Sequence, residues 1–370
     1  MNITGLYLYN GTTMVQQVKV WDMPKIELHR HLEGGIRPAT AWKLAQTQNI
    51  DFGYTNYFGF EKAALVRKPI GGLAKVLEAM TMTRKILASA SAIEEVAFEC
   101  VQDAKKDNIK LFELRFAPAL LAQASGLDYP EIIAAVARGA ARATCESTSF
   151  AAGATQAIAE GDIQVGLLCS LRRTSPKEVN QAIVTAMLEA KAEALSVPLV
   201  GVDLSDNEWA VEPETFAGLF DTLREAGFGI TVHSGLNTTA KHLWQTIKIL
   251  KPQRIGHGIV ALIDPILVDE IKRQGIHLEV SVLSNWITEA VPSVKEHPLP
   301  RLLEAGLSVG INSDDPGLFG SSLSEEYELL ERTFGLGADD FTAINLNTLR
   351  CSFLPKERRA MVWDRYFSKV

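Results

Sequence analysis

Two histidines one residue apart, His29 and His31, are the side chains of this 370-residue chain with the clearest capacity for metal chemistry. They end an apolar run that starts at Pro24, and two glycines follow at positions 34 and 35. Because alternate side chains of a β-strand share one face, the two imidazoles point in the same direction. Imidazole is a common ligand of divalent metals. The pair therefore predicts half of a metal site at the end of a strand.

Three more strand-like runs end in side chains suited to the same chemistry. His233 and His257 each follow a short apolar run, and Asp314 and Asp315 follow the run at residues 307–312. A proline comes directly after the two aspartates, and proline ends strands. We therefore expect four strand ends to carry histidine or aspartate side chains.

Together these residues predict a mononuclear zinc site. His29, His31, His233 and Asp314 offer three nitrogens and one oxygen, a set that suits Zn²⁺ with water completing the coordination. The metal would lower the pKa of that water and supply hydroxide, which His257 could orient or deprotonate. Two other interpretations remain open. In the first, His257 is a buried structural histidine. In the second, these four histidines and Asp314 are unrelated polar residues of loops.

Composition argues against several other classes of protein. A net charge of -7 and a pI near 5.6 argue against nonspecific nucleic-acid binding, and 47% hydrophobic residues are ample for a core. No uncharged apolar run reaches about 18 residues, so no membrane span is expected. The first 20 residues lack the basic start and the long apolar core of a signal peptide, and we expect a short strand or hairpin there. The 4 cysteines form no Cys-x-x-Cys pair, which is typical of reduced thiols in a cytoplasmic protein.

The order of elements predicts a (β/α)₈ TIM-type barrel within a single domain, residues 1–370. Helical stretches separate most of eight predicted strands. These strands are residues 24–30, 109–117, 163–171, 198–204, 228–233, 253–256, 277–283 and 306–312. In such barrels the chemistry lies at the carboxyl ends of the strands, where every histidine and aspartate named above falls.

Four segments are predicted in addition to the strands and helices of the barrel, which spans residues 24–356. Residues 1–20 form an N-terminal extension, and residues 36–108 are predicted to be a helical insertion over the barrel mouth after strand 1. Residues 324–335 and 355–367 are predicted to be additional C-terminal helices.

Motifs in chain order resemble those of the adenosine/AMP deaminase family of the amidohydrolase superfamily, from about residue 24 to about residue 356. They are Pro-Lys-x-Glu-Leu-His-x-His-Leu-Glu-Gly from residue 24, Glu113–Pro118, Asp203-Leu204, His233–Gly235, Arg254–Gly258, Ser284-Asn285, His297-Pro298 and Ser313–Pro316. The resemblance implies a barrel enzyme with one zinc ion per chain that hydrolyses an exocyclic amine from a purine-like ring.

The resemblance also implies roles for single residues. It gives His29, His31, His233 and Asp314 to zinc, His257 to the attacking water, Asp315 to a ring nitrogen of the substrate, and Glu33 to the sugar or another substituent. The implied partner is a small nucleoside-like molecule or amino-heterocycle. The oligomeric state is left open, a homo-oligomer included.

The sequence departs from the family at the residue that moves a proton. The family has His-Ala-Gly-Glu, whose glutamate protonates a ring nitrogen, whereas this chain has His233-Ser234-Gly235-Leu236. Leucine transfers no proton, and a general acid typically contributes about 10²–10⁴-fold to the rate. We therefore expect adenosine deamination to be severely impaired.

A second departure places a carboxylate in the same pocket. Asp206 stands where the family has glycine in Asp-Leu-Ala/Ser-Gly-x-Glu. It either replaces the missing acid from another side of the substrate or simply turns into solvent, since aspartate is a common turn residue.

Three functions fit these observations. The first is a zinc hydrolase that deaminates, or cleaves a related C–N bond of, a nucleoside, base or other amino-heterocycle other than adenosine. The second is a catalytically degenerate metal-binding barrel that binds a ligand or a protein. The third, a barrel without metal, leaves three histidines and two aspartates at one rim without purpose.

Overall fold

Eight parallel strands, each paired with its neighbours in chain order, form the centre of this computed structural model, which describes residues 19–145, 163–193 and 195–368. The strands are β1 Lys25–His31, β2 Ile109–Phe116, β3 Gln164–Arg172, β4 Leu199–Ser205, β5 Gly229–Ser234, β6 Arg254–His257, β7 His277–Val280 and β8 Ser308–Ile311. The predicted (β/α)₈ barrel is confirmed.

The sheet closes next to the predicted metal ligands. The backbone N–H of His31 donates to the Asp314 carbonyl at 2.9 Å, and the Asp314 N–H donates to the His29 carbonyl at 3.0 Å. These bonds join the end of β1 to the segment after β8. The first and last parts of the ligand set are therefore fixed by the closure of the barrel itself.

Sixteen helices of the described residues surround the strands. They are α1 Pro38–Gln48, α2 Tyr57–Ala64, α3 Leu73–Arg84, α4 Ala90–Lys106, α5 Pro118–Ser125, α6 Tyr129–Cys145, α7 Lys177–Ala192, α8 Ala217–Glu225, α9 Ala240–Leu250, α10 Pro265–Gln274, α11 Val282–Ile287, α12 Leu299–Glu304, α13 Pro316–Phe319, α14 Leu323–Phe334, α15 Ala338–Cys351 and α16 Lys356–Val362. The predicted helical insertion after strand 1 comprises α1 to α4. In the part of the chain described, no helix is long and apolar enough to cross a membrane.

The prediction extended one strand too far and missed one helix. The strand predicted at 277–283 ends at Val280, because α11 starts at Val282 with Ser281 as its N-cap. Helix α15 was missed: its middle is rich in asparagine and threonine, which are poor helix formers. The structure buries Asn345 and Thr348 on that helix and satisfies both side chains with hydrogen bonds to its backbone. The hairpin expected near the N-terminus falls mainly outside the described residues.

Buried charges fill the barrel below the metal ligands. The Arg254 guanidinium lies 2.7 Å from Glu113 Oε2 and 2.6 Å from Glu279 Oε1, and Arg115 Nη2 lies 2.8 Å from Glu279 Oε2. All four side chains are fully buried. Because removing one partner of a buried ion pair leaves an uncompensated charge, this network fixes the strands that carry the site.

Candidate metal centre and substrate cavity

The four predicted zinc ligands converge at one rim of the barrel. One ligand atom from each of His29, His31, His233 and Asp314 lies within 4.8 Å of all the others. The Nε2 atoms of His31 and His233 are 3.3 Å apart, and Asp314 Oδ1 is 3.4 Å from Nε2 of His29 and of His31. Strands β1 and β5 and the segment after β8 position these side chains.

The donor set fits a zinc ion. The Nε2 atom of His29 is buried and has no hydrogen-bond partner within the described residues. An unpartnered buried nitrogen is costly, and a divalent cation among three imidazoles and one carboxylate satisfies it.

Buried carboxylates hold two of the histidines in the required tautomer. His29 Nδ1 donates to Glu279 Oε2 at 2.8 Å, and His233 Nδ1 donates to Asp203 Oδ1 at 2.9 Å. Each Nε2 therefore carries the lone pair that binds metal. Glu279 had not been predicted for this role. The signal for it was a lone charge inside the short apolar strand β7.

A chain of hydrogen bonds fixes the ring of His257. The backbone N–H of Leu299 can only donate, and it donates to His297 Nδ1 at 3.0 Å. His297 Nε2 then donates to Asn285 Oδ1 at 2.9 Å, and Asn285 Nδ2 donates to His257 Nδ1 at 3.0 Å. The proton of neutral His257 therefore lies on Nε2, which is 3.8 Å from Asp314 Oδ2. Burial, the largest influence, lowers the pKa of His257 and favours this neutral ring.

A cavity of about 540 Å³ opens onto these ligands. Seven of the eight residues predicted for the site line it, and His29 lies behind them: the seven are His31, Glu33, Asp206, His233, His257, Asp314 and Asp315. Helix α3 of the insertion forms much of the opposite wall, mainly with apolar side chains.

The two predicted substrate-binding carboxyls lie side by side in the cavity wall. Glu33 Oε1 accepts the Ala117 N–H at 2.8 Å, while Asp315 Oδ1 is buried with no partner among the described residues. Burial, then the charges of Asp314 and Glu33, raise the pKa of Asp315. The Asp315 carboxyl thus has an oxygen that is open to a hydrogen bond from a group in the cavity.

Leu236, which the motif comparison predicts to stand at the position of the family's glutamate, gives the cavity an apolar wall. The loop around it is held by Glu208, whose carboxylate accepts the N–H of Gly235 at 2.6 Å and of Leu236 at 3.0 Å. Thr238 Oγ1 donates to the same carboxylate at 2.6 Å. The buried Glu208 was not predicted to have a role, although it stands in the strand-four motif.

Asp206 does not turn into solvent. Its side chain is only 7% exposed, and its Oδ2 lies 2.5 Å from Arg172 Nη2. It also accepts hydrogen bonds from the Thr174 hydroxyl and the Asn207 N–H. Its backbone φ of +82° is one that glycine adopts readily and aspartate rarely.

Comparison with known proteins agrees with the geometry of the site. The model of the adenosine deaminase family matches residues 24–368. The chain belongs to this family. Its adenosine deaminase relative from Edwardsiella ictaluri is 30% identical over 339 residues, which are 91% of this chain and 96% of that protein. The family resemblance predicted from the motifs is confirmed, and this family member is a metal-dependent C–N hydrolase of the deaminase type.

Two solved plant structures are similar over nearly the whole chain. The N6-methyl-AMP deaminase from Arabidopsis thaliana is 26% identical with a TM-score of 0.79, covering 94% of this chain and 97% of that one. An Arabidopsis ADAL structure in complex with IMP is 26% identical with a TM-score of 0.80 and the same coverage.

Proposed function

We propose that this chain is a zinc-dependent hydrolase that deaminates, or cleaves a related C–N bond of, a nucleoside, base or other amino-heterocycle other than adenosine. One observation carries the proposal: a complete ligand set and His257 face a cavity whose wall has Leu236 where the family has its proton donor. The Arabidopsis relatives named for N6-methyl-AMP and solved with IMP support a nucleotide-like substrate.

His29, His31, His233 and Asp314 would hold one zinc ion per chain. Zinc bound there lowers the pKa of a water molecule and supplies a nucleophile at neutral pH. Glu279 and Asp203 keep two of the imidazoles in the ligating tautomer. Ser284 Oγ donates to Asp314 Oδ2 at 2.8 Å and holds that carboxylate in place.

His257 acts on the attacking water by orienting it. Since its Nδ1 accepts a hydrogen bond from Asn285, its Nε2 carries the proton and donates. This favours orientation over deprotonation, the two roles that the sequence left open.

Asp315 and Glu33 bind the substrate in this proposal. The unpartnered Oδ1 of Asp315 is available to a ring nitrogen, and Glu33 lies beside it in the same wall. The Glu33 carboxyl is braced by the Ala117 N–H, which leaves its second oxygen for a substituent.

Asp206 has two candidate roles. The sequence predicts that it replaces the missing acid. Its ion pair with Arg172 and its hydrogen bonds from Thr174 and Asn207 support a different role, the positioning of Arg172 in the cavity wall.

Leu236 by itself favours a second function, that of a binding protein. A barrel without a proton donor for ring nitrogens could bind a nucleotide-like ligand without turnover. The test is to measure bound zinc by mass spectrometry and then to screen amino-heterocycles for ammonia release, with H257A as the inactive control. Ammonia from at least one compound that H257A does not release supports the hydrolase. Bound zinc with no turnover across the panel supports the binding module.

A further inference from the structure

Arg84, in the wall of the cavity, is an arginine that contacts no carboxylate of the described residues. Arg84 is the last residue of α3 in the helical insertion, and it lines the cavity. Its guanidinium makes no hydrogen bond and no ion pair with any described residue, although the side chain is partly buried. Burial, the largest influence, lowers the pKa of Arg84. The charges of Glu33 and Asp206 attract it from a distance, but a partly buried cation without a direct ion pair is stabilised further when an anion contacts it.

A second arginine lines the same cavity from the barrel side. Arg172 is the last residue of β3, and its Nη2 is held 2.5 Å from Asp206 Oδ2. Each oxygen of Asp206 also accepts another hydrogen bond, from Thr174 or from Asn207. Asp206 therefore fixes the Arg172 guanidinium and neutralises one positive charge.

None of the other carboxylates of the cavity forms an ion pair with Arg84 among the described residues, although the charge of Glu33 attracts it. Glu208 accepts three hydrogen bonds from the loop after β5, and Glu78 is 2.7 Å from the exposed Lys75. Neither compensates Arg84. The part of the cavity between α3 and the end of β3 thus presents two guanidinium groups, and the N–H donors of Arg84 are engaged by no described residue and face a ligand in the cavity.

We infer that Arg84 and Arg172 form a subsite for an anionic group of the substrate, a phosphate or a carboxylate. This inference rests on the proposed function, because it takes the cavity above the metal ligands to be the substrate site. The planar guanidinium presents paired N–H donors that match both anions. The substrate is then an amino-heterocycle whose reacting carbon faces the metal ligands while its anionic substituent lies between α3 and β3.

The test compares matched neutral and anionic ligands of the zinc-loaded full chain by titration calorimetry. Inosine, IMP and inosine 5′-carboxylate share the base and the sugar, so contacts near the metal cancel in the ratio of their Kd values. We expect an anionic form to bind about tenfold or more tightly than inosine, the effect of one charge-assisted contact. That ratio should collapse in R84Q and persist in K85Q, because Lys85 is exposed and does not line the cavity.

The outcomes separate the two anions and the two proposals. A preference for IMP indicates phosphate esters, and a preference for the carboxylate indicates carboxylic acids. Equal or absent binding of neutral and anionic forms, or a ratio that survives in R84Q, overturns the subsite. If the ratio depends on Arg84 while the ammonia screen finds no turnover, the proposed hydrolase fails and the subsite stands. If a substrate that carries a phosphate or carboxylate is turned over with the same kcat/KM in R84Q, the subsite fails and the hydrolase stands.

Discussion

The Asp206 carboxylate lies 2.5 Å from the Arg172 guanidinium while its own backbone has a φ of +82°. A non-glycine residue in this conformation costs about 1–3 kcal/mol, which must be offset by the contacts of its side chain. The ion pair and two hydrogen bonds of Asp206 supply that compensation. Asp206, predicted from the motif to stand at the family's glycine position, therefore fixes an arginine in the cavity wall.

Replacing Asp206 with asparagine should raise KM for the anionic substrate and change kcat less than about tenfold. The physical reason is that an amide no longer neutralises or holds Arg172, whereas the chemistry at the metal ligands is untouched. Steady-state kinetics of D206N on the substrate found in the screen measures this split. A fall in kcat of about 10²–10⁴ would instead identify Asp206 as the missing acid.

Replacing Leu236 with glutamate should create adenosine deamination. The side chain already lines the cavity, so a carboxyl there restores a proton donor at the family's position. We expect a gain of about 10²–10⁴-fold in kcat/KM for adenosine, measured by ammonia release. The matched control is L236Q, which has the same shape and no acidic proton. A gain of equal size in L236Q would show that polarity rather than proton transfer limits the reaction.

His297 should act on the reaction through the tautomer of His257. In H297A, Asn285 loses the donor that orients its amide, and the His257 proton can move to Nδ1. We expect kcat to fall about tenfold or more with KM nearly unchanged, and the pH profile of kcat to shift. H297Q keeps a donor and should recover part of the loss. Equal losses in kcat and folding stability for both variants would point to a structural role only.

Glu326 should make the protein less stable as pH rises. Its pKa is raised from 4.5 to about 7, chiefly by burial and despite the Leu283 N–H that it accepts at 3.0 Å. Between these pH values the folded state keeps a proton that the unfolded state has lost, so the free energy of unfolding falls with rising pH, by at most about 3 kcal/mol. Above about pH 7 the Glu326 contribution to the free energy of unfolding does not fall further.

Urea unfolding at pH 5 and pH 8 checks this prediction. E326Q keeps an oxygen acceptor for the Leu283 N–H and cannot ionise, so its advantage over the natural chain should be small at pH 5 and large at pH 8. The exposed neighbour provides the control E325Q, which should show no such change. A constant difference between E326Q and the natural chain at both pH values would contradict the assignment.

The metal ligands could be predicted because their positions follow from one-dimensional rules. Side chains at the ends of parallel strands gather at one rim, so His31, His233 and Asp314 could be placed without coordinates. Their buried partners could not. Glu279 reaches His29 across the barrel, and this contact depends on the relative rotation of β1 and β7, which no local pattern encodes.

The residues around the metal ligands were predicted less completely, because their contacts also depend on tertiary packing. Arg84 lies in an insertion whose placement over the barrel depends on tertiary packing, so nothing in its sequence neighbourhood marked it as a cavity residue. The role of Asp206 depended on Arg172, which is 34 residues earlier in the chain and adjacent only across strands β3 and β4. Helix α15 was missed because buried asparagine and threonine override their weak helix propensity only in the folded core.

Helix α3 forms a wall of the cavity, while every candidate metal ligand comes from the barrel. One wall of the cavity is therefore encoded in a continuous segment apart from the metal ligands, while Arg172 and Asp315 contribute to the other walls from the barrel. An exchange of the segment between β1 and β2 with that of a relative would replace the α3 wall and leave His233 and Asp314 in place. Variation of this one segment thus changes the shape of the cavity without changing the residues that gather at the barrel rim.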